Sequence, residues 1–531
     1  MQVTHSFQSE AYNGSLPTDW MALQDYDNFP IRVVATLLLA QVVWFAALVT
    51  YRLYFSPLAR FPGPKIAAAT GWYEFYYQVW CNGKYIFEIE KMHKKYGPIV
   101  RVNPEELSIN DADFYNELYV TENRRRTDHY DAFGKGIGFE DSHLFTKEHD
   151  LHRIRRKALE PFFSKLGIHR LLPVIAEVAL HLESRLREFS GTNKVIRLDH
   201  AFSAYAGDVV GRMCLDTKDR RDRFLNEANF SPDWFNAMLM IIRSIPVATA
   251  FPLLVWMMSY LPEDVFVWLY PRGQGLRKLR QKARENIRKV LASDSIKDEN
   301  VSSLFHHVVN SDMPESEKTE RRLVMEAQLI LAGGTWTSGR TIGVASFYIL
   351  SRPHLRQGVE AELRDLMDRW PQYVPTWAEL EKLVLLQAII KESLRISYGV
   401  MHRLPRISPD VPIQYKEYTI PTGVPVGMSS YLMHTDPAVY ESPFEFIPER
   451  WLGEVSPAMN RNYVPFARGS RNCLGLHLAM AEVTYALAVL FRPNGPKLEL
   501  FETDESDVRQ VHDFMVATAK LDTKGIRAYA R

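Results

Sequence analysis

Cys473 is the residue whose type and position are best suited to chemistry, and it is one of only three cysteines in the chain. It follows a turn rich in Gly and Ser, and an apolar run from Leu474 to Phe491, which predicts a helix, comes directly after it. A thiol at a helix start faces backbone N–H groups and the positive end of the helix dipole, which favour the thiolate. The thiolate could be a nucleophile, a redox group or a metal ligand, and a buried structural cysteine is the alternative.

The neighbours of Cys473 favour the metal-ligand interpretation. Gly469 and Gly475 permit the backbone to approach something large and flat, Arg471 places a fixed cation near a potential carboxylate, and Phe466 provides an aromatic ring at the loop entrance. The pattern Phe-x-x-Gly-x-Arg-x-Cys-x-Gly resembles the haem-thiolate loop of the cytochrome P450 family. This resemblance makes Cys473 the axial ligand of a haem b iron, where a thiolate favours O–O cleavage.

Residues 316–351 predict a long helix with two adjacent glycines, Gly333 and Gly334, in its middle. Each glycine costs a helix about 1 kcal/mol relative to Ala, and a nearby hydroxyl can bond the freed carbonyls and bend the helix. The segment resembles the family's oxygen-binding groove, in which Thr337 matches the threonine that helps to deliver protons. Trp336 stands where the family has an acid. This replacement allows a proton relay made of water alone, or a non-standard reaction. The alternative is that Trp336 is only a packing residue.

Glu392 and Arg395 lie one helical turn apart, a spacing that by itself predicts a surface ion pair of little energetic worth. A second motif, Pro448-Glu449-Arg450-Trp451, follows further along the chain. Together the two resemble the family's Glu-x-x-Arg helix and its Pro-Glu-Arg-Trp segment. The resemblance implies a buried network of Glu392, Arg395 and Arg450 that holds the thiolate loop.

Residues 146–170 predict a basic helix on which His152 and Arg156 share one face. The resemblance assigns both side chains to the haem propionates, with His152 in place of the usual Trp. Arg406 is the predicted third propionate contact, with Arg403 as the second choice. The outward cations form either a solvated face or a positive surface for an acidic reductase, and they are Arg153, Arg155 and Lys157.

Residues 33–50 are apolar except for Gln41, and this length is at the lower limit for a membrane-spanning helix. A signal peptide or a core helix is the less favoured alternative. Residues 1–30 contain acidic side chains and no Lys or Arg, whereas basic residues follow the span, so the positive-inside rule predicts a lumenal N-terminus. Arg32 weakly opposes this orientation. The sequon at Asn13 would then be open to glycosylation.

Composition is that of a globular protein, with 46% hydrophobic residues and a formal net charge of +1, which gives no support for nucleic-acid binding. Three scattered cysteines predict no disulfide framework and a reducing compartment. The predicted organisation is a lumenal segment (1–30), a transmembrane anchor (31–54), a proline-rich hinge (55–65) and a catalytic domain (66–531). Residues 231–270 predict either two core-packed helices or a lid over a substrate channel that dips into the bilayer.

The resemblance covers essentially everything after residue 55 and implies a mainly α fold with small β-sheets, the cytochrome P450 fold. A small hairpin is expected at residues 99–109. The implied function is a fungal microsomal monooxygenase of the endoplasmic reticulum that oxidises an apolar terpenoid or polyketide, with electrons from an NADPH-cytochrome P450 reductase or cytochrome b5. The alternatives are a haem-thiolate isomerase or dehydratase that needs no dioxygen, and a non-catalytic membrane-tethered haem protein.

Overall fold

The structure is a computed structural model of the chain that describes residues 20–121, 124–130, 138–215, 223–259, 274–292 and 303–531, together with Val265 and Trp268. It contains two compact units, Met1–Ala59 and Arg60–Arg531. The predicted sequon at Asn13 lies outside the described residues.

The first unit contains the helix α1 (Trp20–Thr50). A π-helical turn, Tyr51–Phe55, continues this helix. Its stretch Ile31–Phe55 is long and apolar enough to cross a membrane and is not buried by the protein. The helix begins eleven residues before the predicted anchor (31–54), because residues 21–24 are Met, Ala, Leu and Gln, all good helix formers.

Helices build most of the second unit. Those of its first part are α2 (Lys65–Ala69), α3 (Trp72–Phe75), α4 (Tyr85–Tyr96), α5 (Tyr115–Leu118), α6 (His149–Phe163), α7 (Lys165–Arg187), α8 (Leu198–Leu215), α9 (Pro232–Ala250), α10 (Pro252–Ser259) and α11 (Gln274–Ala292). Those of its second part are α12 (Leu304–Asn310), α13 (Glu320–Ser351), α14 (Pro353–Leu363), α15 (Trp377–Leu380), α16 (Val384–Ser397), α17 (Ser430–His434), α18 (Pro457–Asn462) and α19 (Leu476–Phe491).

The long helix α13 is the centre of this unit. It is buried along most of its length and packs against α8, α11, α16 and α19. The apolar helix α19, which follows the cysteine loop, is also almost wholly buried. The main hydrophobic core includes side chains of all five helices, so the cysteine loop and the glycine pair of α13 are both attached to the most rigid part of the fold.

Short strands form four small sheets. The strands are β1 (Ile99–Arg101), β2 (Leu107–Ile109), β3 (Asp128–His129), β4 (Ile196–Arg197), β5 (Arg406–Ile407), β6 (Ile413–Tyr415), β7 (Tyr418–Ile420), β8 (Pro425–Gly427), β9 (Leu498–Leu500), β10 (His512–Phe514), β11 (Val516–Thr518) and β12 (Arg527–Ala530). The largest has the order β1-β2-β8-β5-β3, and the others are β4-β12-β9, β6-β7 and β10-β11.

Several local expectations are met. The predicted hairpin is present, with β1 and β2 antiparallel and Val100 opposite Ser108. Thr376 and Glu379 form a capping box at the start of α15, which is the typical Thr-x-x-Glu signature of a helix start. In the 231–270 region, α9 buries one face in the core, as the core-packed alternative expects. On the next helix, α10, the side chains of Leu253, Trp256 and Met257 are instead exposed. Trp268, further along the chain, is exposed as well.

Candidate active site

The cysteine loop is closed by its own backbone. The N–H of Cys473 donates to the carbonyl of Phe466 at 2.9 Å, and the N–H of Gly475 lies at the sulfur. Cys473 is exposed, yet burial among neighbouring groups raises the pKa of its thiol, with the Gly475 N–H and the charge of Arg156 acting in the opposite direction. A side chain at the floor of a cleft can be exposed and still be surrounded by protein groups. The protein alone therefore keeps the thiol protonated, and a bound metal ion would displace the proton.

The two loop glycines have different roles. Gly469 has φ +78°, and a Cβ on it would lie 2.5 Å from the carbonyl oxygens of Tyr119 and Val120. Its close approach is therefore to protein backbone and not to the large flat group expected from the sequence. A Cβ on Gly475 would meet no atom within 4 Å, so open space remains beside Cys473.

Two arginines fix the loop to the rest of the protein. Arg156 donates to both the carbonyl and the side-chain oxygen of Asn472 at 2.7 Å, and its Nε donates to Glu160 at 2.8 Å. Arg471 is buried and donates to the carbonyls of Thr146 at 2.7 Å and Lys147 at 2.9 Å, and weakly to that of residue 127. Burial and the charge of Arg406 lower the pKa of Arg471 to about 9.

Arg406 and Arg403 differ in their partners. Arg403 is buried in an ion pair with Glu106, at 2.6 and 2.9 Å, and also bonds Glu74. Arg406 is equally buried, but it donates only to the carbonyl of Pro405 at 3.1 Å and lies over a Tyr ring. Within the described part of the chain no carboxylate reaches it. Of these two arginines, Arg406 is thus the buried cation that still needs an anionic partner.

His152 lies near these cations. It is buried, and its Nδ1 has no hydrogen-bond partner among the described residues. Burial, followed by the charge of Arg471, holds the pKa of His152 far below its usual range, so the imidazole is neutral. His129, which our reading of the sequence missed, sits opposite Arg406 in the β3–β5 pair, and burial and Arg406 also lower its pKa. A two-residue strand gives too short a pattern to reveal it.

The middle of α13 opens on one side. Gly333 is exposed in a helix that is buried along most of its length, and the hydroxyl of Thr337 donates to its carbonyl at 2.8 Å. Trp336 points elsewhere: it is buried, packs against Phe235 of α9 with the ring centroids 5.3 Å apart, and its Nε1 has no partner among the described residues. The indole therefore does not take the place of an acid beside Thr337.

Glu392, Arg395 and Arg450 form a hydrogen-bonded group. Arg395 donates to both oxygens of Glu392 at 2.7 and 2.9 Å, and Arg450 donates to Glu392 at 3.2 Å. Glu392 and Arg395 are fully buried. Trp451 adds an Nε1 donor to Glu392 at 2.8 Å, a role that the sequence motif contained but that we did not assign.

His434 is a satisfied histidine of the core. Its Nδ1 donates to the carbonyl of Arg395, its Nε2 accepts the N–H of Val464, and both distances are 2.9 Å. Burial lowers its pKa to about 3, so it stays neutral. Because both ring nitrogens are occupied, His434 connects the end of α16 to the cysteine loop and leaves Cys473 as the better metal ligand.

A family model for cytochrome P450 matches residues 67–509 of the chain. The chain belongs to the cytochrome P450 family. It is 46% identical to the cytochrome P450 monooxygenase oblB of Aspergillus clavatus over 95% of this chain and 99% of that protein. It is also 46% identical to the fusicoccadiene C-8 hydroxylase of Phomopsis amygdali, over 91% of this chain and 94% of that one. The stellatic acid synthase of Emericella variicolor is 44% identical over 92% and 94% of the two chains.

The protein is a cytochrome P450 monooxygenase, and its relatives belong to fungal secondary metabolism. The family implies a haem-thiolate iron, a redox partner and a small-molecule substrate. The side chains of the site suit such a cofactor. An accessible thiol has open space beside it, and buried cationic or neutral donors that lack a carboxylate lie nearby.

Proposed function

We propose that this cytochrome P450 hydroxylates, or oxidises repeatedly, an apolar terpenoid or polyketide of fungal secondary metabolism. The observation that carries the proposal is the accessible Cys473 in an otherwise well-packed loop, beside buried arginines without carboxylate partners. The named relatives support the substrate class, since one hydroxylates fusicoccadiene at C-8 and another is a synthase of stellatic acid. Haem, when bound, supplies the oxidative chemistry.

The residues of this chain bind and orient. Cys473 would ligate the iron, and Arg406 and His152 would donate to the propionates, with Arg471 and Arg156 adding positive charge and holding the loop. Phe466 and the glycines 469 and 475 would shape the loop around the thiolate. Thr337 would hold a proton donor at the opened side of α13, since its hydroxyl already bonds Gly333 there.

The redox partner would be an NADPH-cytochrome P450 reductase, with cytochrome b5 as a second donor. The cationic surface of α6 is smaller than predicted, because Arg155 is buried and donates to Glu317 at 2.6 Å. Lys157 is exposed and Arg153 is partly exposed. An acidic partner surface would contact these two, so raising the salt concentration should slow electron transfer.

The protein would be a single-pass protein of the endoplasmic reticulum membrane with a cytosolic catalytic domain. The apolar stretch Ile31–Phe55 supports an anchor. The domain limits would be those predicted from the sequence: a lumenal segment at 1–30, an anchor at 31–54, a hinge at 55–65 and the haem-thiolate domain at 66–531. Glycosylation of Asn13 in intact cells tests the orientation, and a chain without this glycan but with a protease-accessible N-terminus on the cytosolic side would refute it.

Trp336 favours a second candidate function, a haem-thiolate isomerase or dehydratase. The buried indole gives the site no acid at the position where the family has one. Rearrangement of a peroxide or epoxide needs neither dioxygen nor a reductase. Product formation without NADPH and reductase would therefore favour this candidate, whereas strict dependence on both supports the monooxygenase.

The test is the carbon monoxide difference spectrum of the reduced protein, followed by turnover with a panel of cyclic terpene hydrocarbons. Wild type should show the Soret band of thiolate ligation and give products that contain one more oxygen atom. Cys473→Ser should lose both, and the matched control Cys81→Ser, at a half-buried cysteine, should lose neither. A thiolate-type band in Cys473→Ser would refute the assignment of the ligand.

A further inference from the structure

A cavity of about 290 Å³ lies beside α13, on the side that carries Trp336. Its other walls come from the start of α8, from α9 and from residues 507–526. Arg340, one turn after Trp336, also lines it, and Thr337 does not. The cavity is therefore distinct from the opened side of the helix at Gly333.

Five polar atoms at this cavity have no hydrogen-bond partner among the described residues. They are Trp336 Nε1, Arg340 Nε, Arg243 Nε, Thr518 Oγ1 and Gln510 Oε1. The first three can only donate, the Thr518 hydroxyl can donate or accept, and the amide oxygen of Gln510 can only accept, so obligate donors outnumber obligate acceptors. A buried donor without an acceptor costs free energy, so the wall is built for a ligand that brings acceptor oxygens.

The charges of the lining residues favour an anion. Asp199 is already paired with Arg197 through two hydrogen bonds, and Asp507 accepts from Thr523 at 2.7 Å and faces Lys520 at 3.2 Å.

Two of the cations that line the cavity have no carboxylate partner among the described residues. Arg340 donates to the carbonyls of Gly399, at 3.1 Å, and Ala517, and Arg243 donates to the carbonyl of Leu521 at 3.3 Å. Burial lowers the pKa of Arg340 to about 10, which still leaves it charged at neutral pH.

We propose that this cavity binds the carboxylate of a small molecule, held by Arg340 and Arg243 and oriented by the indole N–H of Trp336. A carboxylate has two oxygens in one plane and matches guanidinium donors. The volume equals roughly ten water molecules at ~30 Å³ each, enough for the acidic end of a terpenoid. The identification of that terpenoid as substrate or oxidised product rests on the proposed function.

The experiment compares farnesoic acid with farnesol, which share a carbon skeleton and differ in the acidic group. Binding to the full-length holoprotein is measured by titration calorimetry, without turnover. The acid should bind at least about tenfold more tightly than the alcohol, as charge-assisted hydrogen bonds imply. Arg340→Gln and Arg243→Gln should each remove most of this preference, and Arg340→Lys should keep part of it. Arg170→Gln, at an exposed residue of α7, is the control and should change nothing.

Equal affinities in wild type, or a preference that survives both Gln substitutions, would overturn the proposal and leave a cavity filled with water. If Arg340→Gln fails to fold, Arg243→Gln still decides, because Arg243 is half-buried and bonds one loop carbonyl. The carbon monoxide spectrum separates the two proposals. If the protein lacks the thiolate band but prefers the acid, the proposed function is refuted and the carboxylate site stands. If it shows the thiolate band but has no preference for the acid, only the carboxylate site is refuted.

Discussion

Arg403 and Arg406 are three residues apart, and their partners give them different tasks. Arg403 satisfies the carboxylates of Glu106 and Glu74, whereas Arg406 is buried with a single carbonyl acceptor. Spacing alone left both as candidates for a propionate. The residue with unused donors is the one that can bind an added anion, so the structure favours Arg406.

Substitutions at these two positions should have separable effects. Arg406→Gln should lower the haem content of the purified protein, because a propionate loses a charged donor, while the fold persists. Arg403→Gln should destabilise the fold by about 3–5 kcal/mol, since it leaves Glu106 buried and unpaired. The ratio of haem absorbance to protein and the midpoint of urea unfolding measure the two effects. Full haem content in Arg406→Gln would contradict the assignment.

Glu482 on α19 makes stability depend on pH. Burial raises its pKa from 4.5 to about 8, with the neighbouring Ser338 acting in the opposite direction. Between these values the folded protein holds a proton that the unfolded chain releases, so stability should fall as pH rises through this window.

The substitution Glu482→Gln should remove that loss and stabilise the protein by roughly 2–4 kcal/mol at about pH 9 relative to wild type, with little change at about pH 4. Urea unfolding at both pH values measures it, and Glu454→Gln, at an exposed carboxylate, is the control. A difference between wild type and Glu482→Gln that does not vary with pH would show that burial does not perturb this acid.

At the scale of elements, the adjacent glycines of α13 face different surroundings. A Cβ on Gly333 would meet no atom within 4 Å, whereas a Cβ on Gly334 would lie 2.7 Å from Cγ2 of Val210 on α8. One glycine thus preserves open space, and the other allows two core helices to approach.

Alanine at the two positions should therefore act with opposite signs. Gly333→Ala should raise the free energy of unfolding by up to ~1 kcal/mol through helix propensity. Gly334→Ala should lower it by about 1–3 kcal/mol through overpacking against α8. Chemical unfolding measures both changes, and Gly334→Ala combined with Val210→Ala should recover part of the loss. Equal destabilisation by the two single substitutions would contradict the different packing.

The segment after Pro448 is joined to α16 by Glu392, which accepts from Arg395, Arg450 and Trp451. Trp451→Phe removes one of these donors and keeps the ring, so it should cost about 1–3 kcal/mol in unfolding free energy. Trp377→Phe is the matched control, because the buried Trp377 Nε1 has no partner among the described residues. Equal losses in the two variants would mean that the ring, and not the hydrogen bond, stabilises the segment.

At the scale of the whole molecule, the catalytic unit presents an apolar patch to the outside. It consists of Trp72, Tyr76 and Trp80 near α3 with Leu253 and Trp256 on α10, all of them exposed. The rings of residues 75 and 251 join the two parts, with centroids 5.5 Å apart. Exposed Trp side chains of this kind are typical of a membrane interface.

We expect this apolar patch to contact lipid. In full-length protein reconstituted with brominated lipids, the double substitution Trp72→Phe and Trp80→Phe should remove much of the quenching of tryptophan fluorescence. Trp370→Phe, at a buried tryptophan, should leave the quenched fraction nearly unchanged. If the double variant and Trp370→Phe lose the same amount of quenching, the apolar patch does not lie in the lipid.

The sequence by itself determined the family, the position of Cys473 in its motif, and the apolar helix that is long enough to cross a membrane. Cys473, Glu392 and Arg395 occur in motifs whose residue types lie within one turn or loop, and an apolar stretch of this length is a property of consecutive residues. The helices α13 and α19 were predicted for the same reason, since glycines, prolines and apolar runs act locally.

Only the tertiary structure decided which side chains meet across long separations in the chain. The burial of Arg155 against Glu317, the unused donors of Arg406 and the role of Gly469 depend on partners far away in sequence. The cavity at Trp336 and Arg340 likewise combines residues from α8, α9, α13 and the C-terminal segment 507–526. Spacing fixes neighbours within an element, but burial and unpaired donors arise only when elements pack together.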